Sequence, residues 1–290
     1  MNSQNLEHAY IPTNGIRLHV VQSGSRYGTP VILLHGFPEF WYGWRNQIQP
    51  LAEAGMRVWV PDQRGYNLSD KPRGIGMYQL DELARDVLGL IDAAGVRKCH
   101  LAGHDWGAAV AWWVALRYPE RVHKLAILNV PHPAVMRQTL SSNLAQFKKS
   151  WYMFFFQIPT FPEAILRNND WDYMVKMLIS TSKPGSFTPE DIGLYRQAWW
   201  RRDAISSMLN WYRAILQSPP ELNLEQRITM PTLILWGDQD VALETQMAYD
   251  SRELCDVANL VIFEGASHWV QHDESTAVNK YLVDFFSSPA

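Results

Sequence analysis

The sequence predicts an α/β fold in which helices flank a mostly parallel central sheet and a helical segment is inserted between two strands. Two observations support this prediction. Short apolar runs rich in β-branched residues alternate with amphipathic helical patterns, as in the βαβ units of parallel sheets. The alternation stops near Pro133 and resumes at Ile228, and no convincing strand pattern occurs between them. The length of 290 residues allows one such domain with an inserted subdomain.

Seven short segments have the composition of strands. They are residues 17–22, 31–35, 57–61, 99–103, 125–129, 232–236 and 260–264. A helix with one apolar face is predicted to begin at Leu80 and to end at Gly95. Several prolines interrupt the helical pattern of the inserted segment. We therefore expect an α/β core formed by residues 1–133 and 226–290, and a helical cap domain formed by residues 134–225.

Composition narrows the class of function. The net charge is −3 and no basic run occurs, which argues against nucleic acid or an anionic membrane as partners. Two cysteines are too few for a disulfide framework, and no signal peptide or spanning segment is apparent, so a soluble, cytoplasmic protein is expected. Many of the 13 Trp, 12 Tyr and 11 Phe lie between residues 151 and 212, which suits the lining of an apolar cavity.

Residues 103–107, "GHDWG", have the spacing of a nucleophile elbow, with Asp105 in the central position. A strand pattern precedes this segment and a helix pattern follows it, as the motif requires. Gly103 and Gly107 would permit the close approach of strand and helix. Asp105 would then project from the carboxyl end of a central strand, where open α/β sheets bind ligands. The alternative is that Asp105 only caps the helix.

A carboxylate nucleophile implies a particular chemistry. An unperturbed Asp titrates near ~3.9, so Asp105 would be ionised at neutral pH and would need no base for its attack. By displacing a leaving group from an sp³ carbon it would become an ester of the enzyme. Water must then hydrolyse that ester, and this second step requires a base, an acid that orients the base, and an oxyanion hole.

The remaining groups follow in the order nucleophile, acid, histidine, which is the order of the α/β-hydrolase fold. Asp238 and Asp240 come directly after the strand pattern of residues 232–236. By its spacing Asp240 is predicted to orient the base, and Asp238 to lie in the turn. His268 follows the turn after the last strand and is the predicted base, whereas His272 should lie on the next helix.

The segment "HGFP" (residues 35–38) begins at the last residue of the strand pattern of residues 31–35 and predicts an oxyanion hole. The backbone N–H of Phe37 and that of Trp106, just after the nucleophile, would bind the charge that develops when water attacks the ester. Alone, this segment could be a plain turn at the end of a strand.

Two leaving groups suit an Asp nucleophile. A halide departs as an anion and needs only weak donors, whereas an epoxide oxygen leaves as an alkoxide and needs an acid such as Tyr. The inserted segment offers two tyrosines in distinctive surroundings, Tyr152 in "YMFFFQ" and Tyr212 in "NWYR". Each could also serve only to pack the segment, because its neighbours are aromatic.

Taken together, these motifs resemble those of the soluble-type epoxide hydrolases of the α/β-hydrolase superfamily. The resemblance covers nearly the whole chain, from "HGFPEFWYGW" and "DQRGYNLSDKP" through "GHDWG" and "NVPHP" to "WGDQD" and "GASHW". It implies a small apolar epoxide and water as substrates, with no metal or organic cofactor. It also implies a role for each candidate residue: Asp105 as nucleophile, Asp240 as the acid, His268 as the base, Phe37 in the oxyanion hole, and Tyr152 and Tyr212 as proton donors to the epoxide oxygen.

Two other functions are compatible with parts of this pattern. Haloalkane dehalogenases share the Trp after the nucleophile but often carry Asn where this chain has Phe37, and fluoroacetate dehalogenases carry Arg where it has Trp106. The second alternative is a receptor or binding protein on a hydrolase scaffold, because a fold alone does not determine function. The tyrosine pair favours the epoxide, and the intact set of Asp105, Asp240 and His268 favours an enzyme.

Overall fold

The structure is a computed structural model that describes residues 6–289. Residues 1–5 and 290 of the predicted core therefore lie outside the described residues. The described chain forms one sheet of eight strands, in the order β1-β2-β4-β3-β5-β6-β7-β8. The strands are β1 (Glu7–Thr13), β2 (Ile16–Gly24), β3 (Pro30–Leu34), β4 (Arg57–Pro61), β5 (Cys99–His104), β6 (Val122–Leu128), β7 (Thr232–Gly237) and β8 (Ala258–Phe263). The β2 strand is antiparallel to both neighbours, and all other pairs are parallel, as predicted.

Strand β1 was not among the seven predicted strands. Its sequence, "EHAYIPT", contains a proline and mixes polar with apolar side chains, and it forms the edge of the sheet. It pairs with β2 through a turn at Asn14 and Gly15, which both have positive φ (40° and 77°). Asn-Gly is the preferred pair for this tight hairpin, so the turn was the available sequence signal for β1.

Twelve α-helices occur in the described residues. They are α1 (Arg45–Glu53), α2 (Leu80–Ala93), α3 (Trp106–Arg117), α4 (Pro133–Ser142), α5 (Leu144–Lys149), α6 (Trp151–Phe155), α7 (Phe161–Ser180), α8 (Pro189–Trp199), α9 (Ala204–Gln217), α10 (Gln246–Glu253), α11 (Val270–Asp273) and α12 (Ser275–Ser287). The predicted helix from Leu80 to Gly95 corresponds to α2, and Gly95 has a φ of +74° after its end. None of these helices is both long and apolar enough to cross a membrane.

Two apolar cores lie on opposite faces of the sheet. Helices α2 and α3 cover one face, and α1, α11 and α12 cover the other. Strand β3 shows why both faces are filled: Ile32 and Leu34 contribute to the first core, and Val31 and Leu33 to the second. Side chains alternate between the faces of a strand, so a strand buried on both faces must be apolar throughout.

Helices α4 to α9 all lie between β6 and β7, and the structure describes no strand between residues 129 and 231. Three of the prolines in this segment stand in the first turn of a helix, Pro133 in α4, Pro162 in α7 and Pro189 in α8, where a missing N–H costs no hydrogen bond. Helix α7 is interrupted at residues 168–171 by non-helical backbone. The inserted helices contribute to the same core as α2 and α3, above the carboxyl ends of the central strands.

Candidate active site

Asp105 occupies the sharp turn between β5 and α3. Its backbone has φ 50° and ψ −126°, a sparsely populated conformation for a residue with a side chain. The flanking glycines are required by close contacts: a Cβ on Gly107 would lie 2.1 Å from the Leu34 carbonyl oxygen, and one on Gly103 would lie 2.3 Å from the Gly107 oxygen. The Asp105 side chain forms no capping hydrogen bond to α3. The alternative prediction, that Asp105 serves as a helix cap, is therefore wrong.

The two oxygens of the Asp105 carboxylate face different partners. Oδ1 accepts a hydrogen bond of 2.7 Å from the Phe37 N–H, and Oδ2 lies 3.4 Å from Nε2 of His268. The Phe37 N–H was predicted to contribute to an oxyanion hole, and it already contacts an oxygen of the predicted nucleophile. The second predicted donor, the Trp106 N–H, lies in the first turn of α3, and within residues 6–289 it forms no hydrogen bond to Oδ1.

His268 and Asp240 form a short, buried hydrogen bond. His268 Nδ1 lies 2.7 Å from Asp240 Oδ2, and both residues are buried. The other oxygen of Asp240 accepts bonds of 2.8 Å and 3.0 Å from the N–H groups of Ala242 and Leu243. Burial alone would raise the pKa of Asp240, but the charge and hydrogen bond of His268, together with hydrogen bonds from Asn129 and the Ala242 N–H, lower it below its ordinary value. Asp240 is therefore an ionised partner that holds the imidazole in one orientation.

The charges around His268 favour its protonated form. Burial alone would lower the pKa of His268, but the charges and hydrogen bonds of Asp240 and Asp105 raise it from 6.5 to about 10. The resting site thus contains an imidazolium between two carboxylates. Once one of these carboxylates is neutralised, the pKa of His268 must fall, because one of the groups that raise it is lost.

Asn129, which directly follows β6, was missed by the sequence interpretation. Its Nδ2 donates a hydrogen bond of 2.8 Å to Asp240 Oδ2, and its Oδ1 accepts one of 2.9 Å from the Gly237 N–H. Asn129 is fully buried and has a positive φ of 49°. It therefore joins the ends of β6 and β7 and fixes the acid that contacts His268. The motif "NVPHP" was the signal for it, although the sequence did not show what the Asn contacts.

Removing the Asn129 side chain should impair ester hydrolysis selectively. We expect Asn129→Ala to slow that step by about 10- to 100-fold, since it deletes a buried hydrogen bond to a charged group. Formation of the ester should be almost unchanged, because Asn129 does not contact Asp105. Single-turnover kinetics would separate the two steps, and the exposed Asn223→Ala would be the control. An equal loss in both steps would contradict this role.

The two residues that were set aside in the sequence have other partners. Asp238 accepts a hydrogen bond of 2.8 Å from the Gly265 N–H, which makes it a turn residue as predicted. His272 lies on α11, as predicted, and its Nε2 lies 2.7 Å from Glu39 Oε1. Glu39 is buried and lies within hydrogen-bonding distance of His104, the residue before Asp105. His104 in turn contacts the His268 carbonyl oxygen through Nε2, at 2.8 Å.

Tyr152 on α6 and Tyr212 on α9 lie together above Asp105. Their ring centroids are 5.9 Å apart, with the planes at 80°. Burial and the charge of Asp105 raise the pKa of both hydroxyls, so both are protonated at neutral pH. The main chain around Tyr212 is tied to the segment after α6, because Gln157 Nε2 donates to the Tyr212 carbonyl at 2.9 Å. Gln157 is the last residue of the segment "YMFFFQ" that begins at Tyr152.

Two cavities meet at these side chains. The smaller, of about 300 Å³, contains His268 in its wall, and the larger, of about 610 Å³, extends past Trp106. Among residues 6–289, only Asp105, Tyr152 and Tyr212 line both cavities. Apart from Asp105, the only charged residues that line the larger cavity are Arg137 and Glu221. The arrangement suits a largely apolar molecule whose reactive centre lies between the carboxylate and the two phenols.

Comparison with known proteins shows the family of this chain. A sequence model of the alpha/beta hydrolase fold family matches residues 29–275. The AB hydrolase superfamily protein YfhM of Bacillus subtilis (strain 168) is 43% identical over 283 residues, which cover 96% of this chain and 97% of that protein. Epoxide hydrolase 1 of Caenorhabditis elegans is 38% identical over 96% of this chain and 70% of its own length. The chain belongs to the epoxide hydrolases of the α/β-hydrolase family.

Solved structures of epoxide hydrolases share the whole fold of this family member. The crystal structure of the Bacillus megaterium epoxide hydrolase in complex with an inhibitor has a TM-score of 0.89 and 32% sequence identity. The match covers 97% of this chain and 100% of that one. In the chain described here, no group of three or more His, Cys, Asp or Glu side chains within residues 6–289 could hold a metal ion. That the reaction needs no metal or organic cofactor stays a prediction.

Proposed function

We propose that this protein hydrolyses epoxides to vicinal diols, with Asp105 as the nucleophile. The observation that carries the proposal is that a carboxylate with one oxygen bound to the Phe37 N–H faces two protonated phenols where two cavities join. An epoxide needs both an attacking group and an acid for its oxygen, and this position offers the two within one space. The epoxide hydrolases among its relatives support the same reaction.

In the first step, Asp105 attacks one ring carbon of the epoxide and the C–O bond of that carbon breaks. Tyr152 or Tyr212 donates its proton to the oxygen as the alkoxide develops. The raised pKa of both phenols does not prevent this transfer, because an alkoxide is more basic than a phenolate. The product is a hydroxyalkyl ester on Asp105. Since the carboxylate charge is then lost, the pKa of His268 falls, and its proton restores the phenol.

In the second step, neutral His268 removes a proton from a water molecule, which attacks the ester carbonyl. The oxyanion forms on the oxygen that contacts the Phe37 N–H, with the Trp106 N–H as the second proposed donor; each such donor contributes about 3 kcal/mol in comparable sites. The tetrahedral intermediate collapses, and the leaving alkoxide takes the proton from His268. The new Asp105 carboxylic acid then protonates His268. This restores the carboxylate and the imidazolium, and one water has been consumed for each diol.

The two phenols should share the acid function. We expect Tyr152→Phe or Tyr212→Phe alone to slow ester formation about tenfold, and the double substitution to slow it about 10³-fold or more, because no acid then remains. Hydrolysis of the ester should be unaffected. Tyr173→Phe is the matched control, because Tyr173 lines the smaller cavity without reaching the larger one. Near-native turnover of epoxides by the double variant would refute the proposed role of the phenols.

Two further assignments accompany the proposed function. We propose that residues 134–225 form a cap domain over the core formed by residues 1–133 and 226–290, because Tyr152 and Tyr212 come from the inserted helices and Asp105 comes from the sheet.

A cytoplasmic location stays a prediction, supported by the two buried free cysteines, Cys99 and Cys255. Fractionation of cells that express the tagged chain tests it.

A further inference from the structure

Helices α5 and α6 expose apolar side chains on one surface of the inserted segment. Together with the residues up to 161, they carry six large apolar side chains that are between 45% and 67% exposed. We call this set the exposed aromatic face; it consists of Leu144, Phe147, Trp151, Phe154, Ile158 and Phe161. All exposed phenylalanines among residues 6–289 belong to it. Large exposed apolar patches are rare in monomeric soluble proteins and mark interaction surfaces.

The side chains of this face lie next to one another. The Phe147 and Phe154 rings are 5.3 Å apart between centroids, and Trp151 and Phe155 are 5.9 Å apart. Phe155 also contacts Phe161 at 6.1 Å, which links the helices to the segment after them. Within α5 the exposed apolar residues are Leu144 and Phe147, and within α6 they are Trp151 and Phe154, so in each helix they lie three positions apart on one side. The ring contacts between α5 and α6 and from α6 to Phe161 show that the exposed aromatic side chains form a patch and not a set of isolated surface residues.

The charge of this region differs from that of the whole chain. Residues 122–162 contain no Asp or Glu, although the chain as a whole carries −3. Lys148 is exposed and forms no salt bridge within the described residues, and Lys149 pairs with Glu244 at 3.0 Å. The first acidic residue after this stretch, Glu163, is buried and bonded to Arg213 at 2.8 Å. Within residues 122–162, the charged side chains beside the exposed aromatic face are therefore lysines, and none of them is acidic.

The face also borders the mouth of the smaller cavity. Trp151 belongs to the face and lines that cavity, and the exposed side chains Tyr173 and Val241 line it as well. A second copy of the chain seated on this face would cover that mouth. A lipid bilayer seated on this face would instead bring a substrate dissolved in it to the opening of the cavity.

We propose that the exposed aromatic face docks on the surface of an anionic phospholipid bilayer. Aromatic side chains favour the boundary between headgroups and acyl chains, and lysines beside them are attracted to anionic headgroups. The net charge predicted no affinity for such membranes, but that charge is carried elsewhere in the chain. Docking does not depend on the proposed reaction, and it gives an apolar epoxide dissolved in the bilayer a direct route to the cavity.

Sedimentation with lipid vesicles tests the docking. The full-length protein should bind vesicles of phosphatidylcholine that contain about one-third phosphatidylglycerol, and it should bind pure phosphatidylcholine more weakly. The triple variant Phe147→Ser, Lys148→Glu, Phe154→Ser should lose at least about tenfold in binding, because two apolar anchors and one cation are removed. None of these three residues lines either cavity. The matched control is Arg26→Glu, Tyr27→Ser, Val257→Ser, which changes exposed residues of the same kinds outside the inserted segment.

Three outcomes would overturn the docking proposal. They are no binding of the unmodified protein to anionic vesicles, equal binding by the triple variant, and self-association in sedimentation velocity that the triple variant abolishes. The last result would show that a second copy covers the face. Turnover of a water-soluble epoxide should be retained in the triple variant, which separates a failure of docking from a failure of the proposed reaction.

Discussion

Asp105→Ala should abolish diol formation, with a loss of about 10⁴-fold or more in kcat/KM on a small aryl epoxide. The expected loss is this large because the side chain forms the bond to carbon, and no other carboxylate of the described residues lines both cavities. Water in the cavity would lack both the fixed position and the charge of the nucleophile. The measurement is diol formation under conditions of excess substrate, followed by chromatography.

Asp238→Asn is the matched control for this substitution. It removes a carboxylate at the same edge of the sheet, two residues before Asp240, where the side chain accepts hydrogen bonds from the Gly265 N–H and from Nε2 of the neighbouring Gln239. We expect its turnover to stay within about threefold of the unmodified protein, since a surface turn contributes little to the reaction. Substantial turnover by Asp105→Ala, or an equal loss in both variants, would reject Asp105 as the nucleophile.

His268→Gln should trap the ester on Asp105. Formation of the ester needs Asp105 and the phenols, whereas its hydrolysis needs a base, and Gln has none to offer. After incubation with an epoxide, the intact mass should rise by the mass of one whole epoxide, and the added mass should map to the peptide that contains Asp105. Turnover should fall by about 10⁴-fold, with a single stoichiometric burst.

The same experiment distinguishes the alternative reactions, when haloalkanes are tested in parallel. A gain equal to an alkyl group, with release of halide, would assign the chain to dehalogenation. No adduct from either class, together with saturable ligand binding, would favour a receptor. His272→Gln is the control, because this second histidine contacts Glu39 and not Asp105. The His272→Gln variant should accumulate no ester. An adduct in that variant would mean that His272, and not His268, is the base.

The local features of the site could be predicted from the sequence because short-range spacing encodes them. The turn at Asp105 requires glycine two residues before and two residues after it, and the contacts of Gly103 and Gly107 show why. Likewise, the position of Phe37, three residues after the last residue of β3, brings its N–H to the same edge of the sheet as Asp105. The alternation of strands and helices predicted the parallel sheet, because helical and extended segments have different apolar periods.

Contacts between distant segments could not be predicted in this way. The hydrogen bond from Asn129 to Asp240 joins residues 111 positions apart, and nothing near either residue in the chain encodes the other. The sequence by itself determined the fold class, the elbow and the order of the candidate groups, since each depends on local conformation. Only the tertiary structure decided that Tyr152 and Tyr212 meet above Asp105, and that Asn129 holds the Asp240 carboxylate. Such distances depend on how helices pack on the sheet, which a local pattern does not specify.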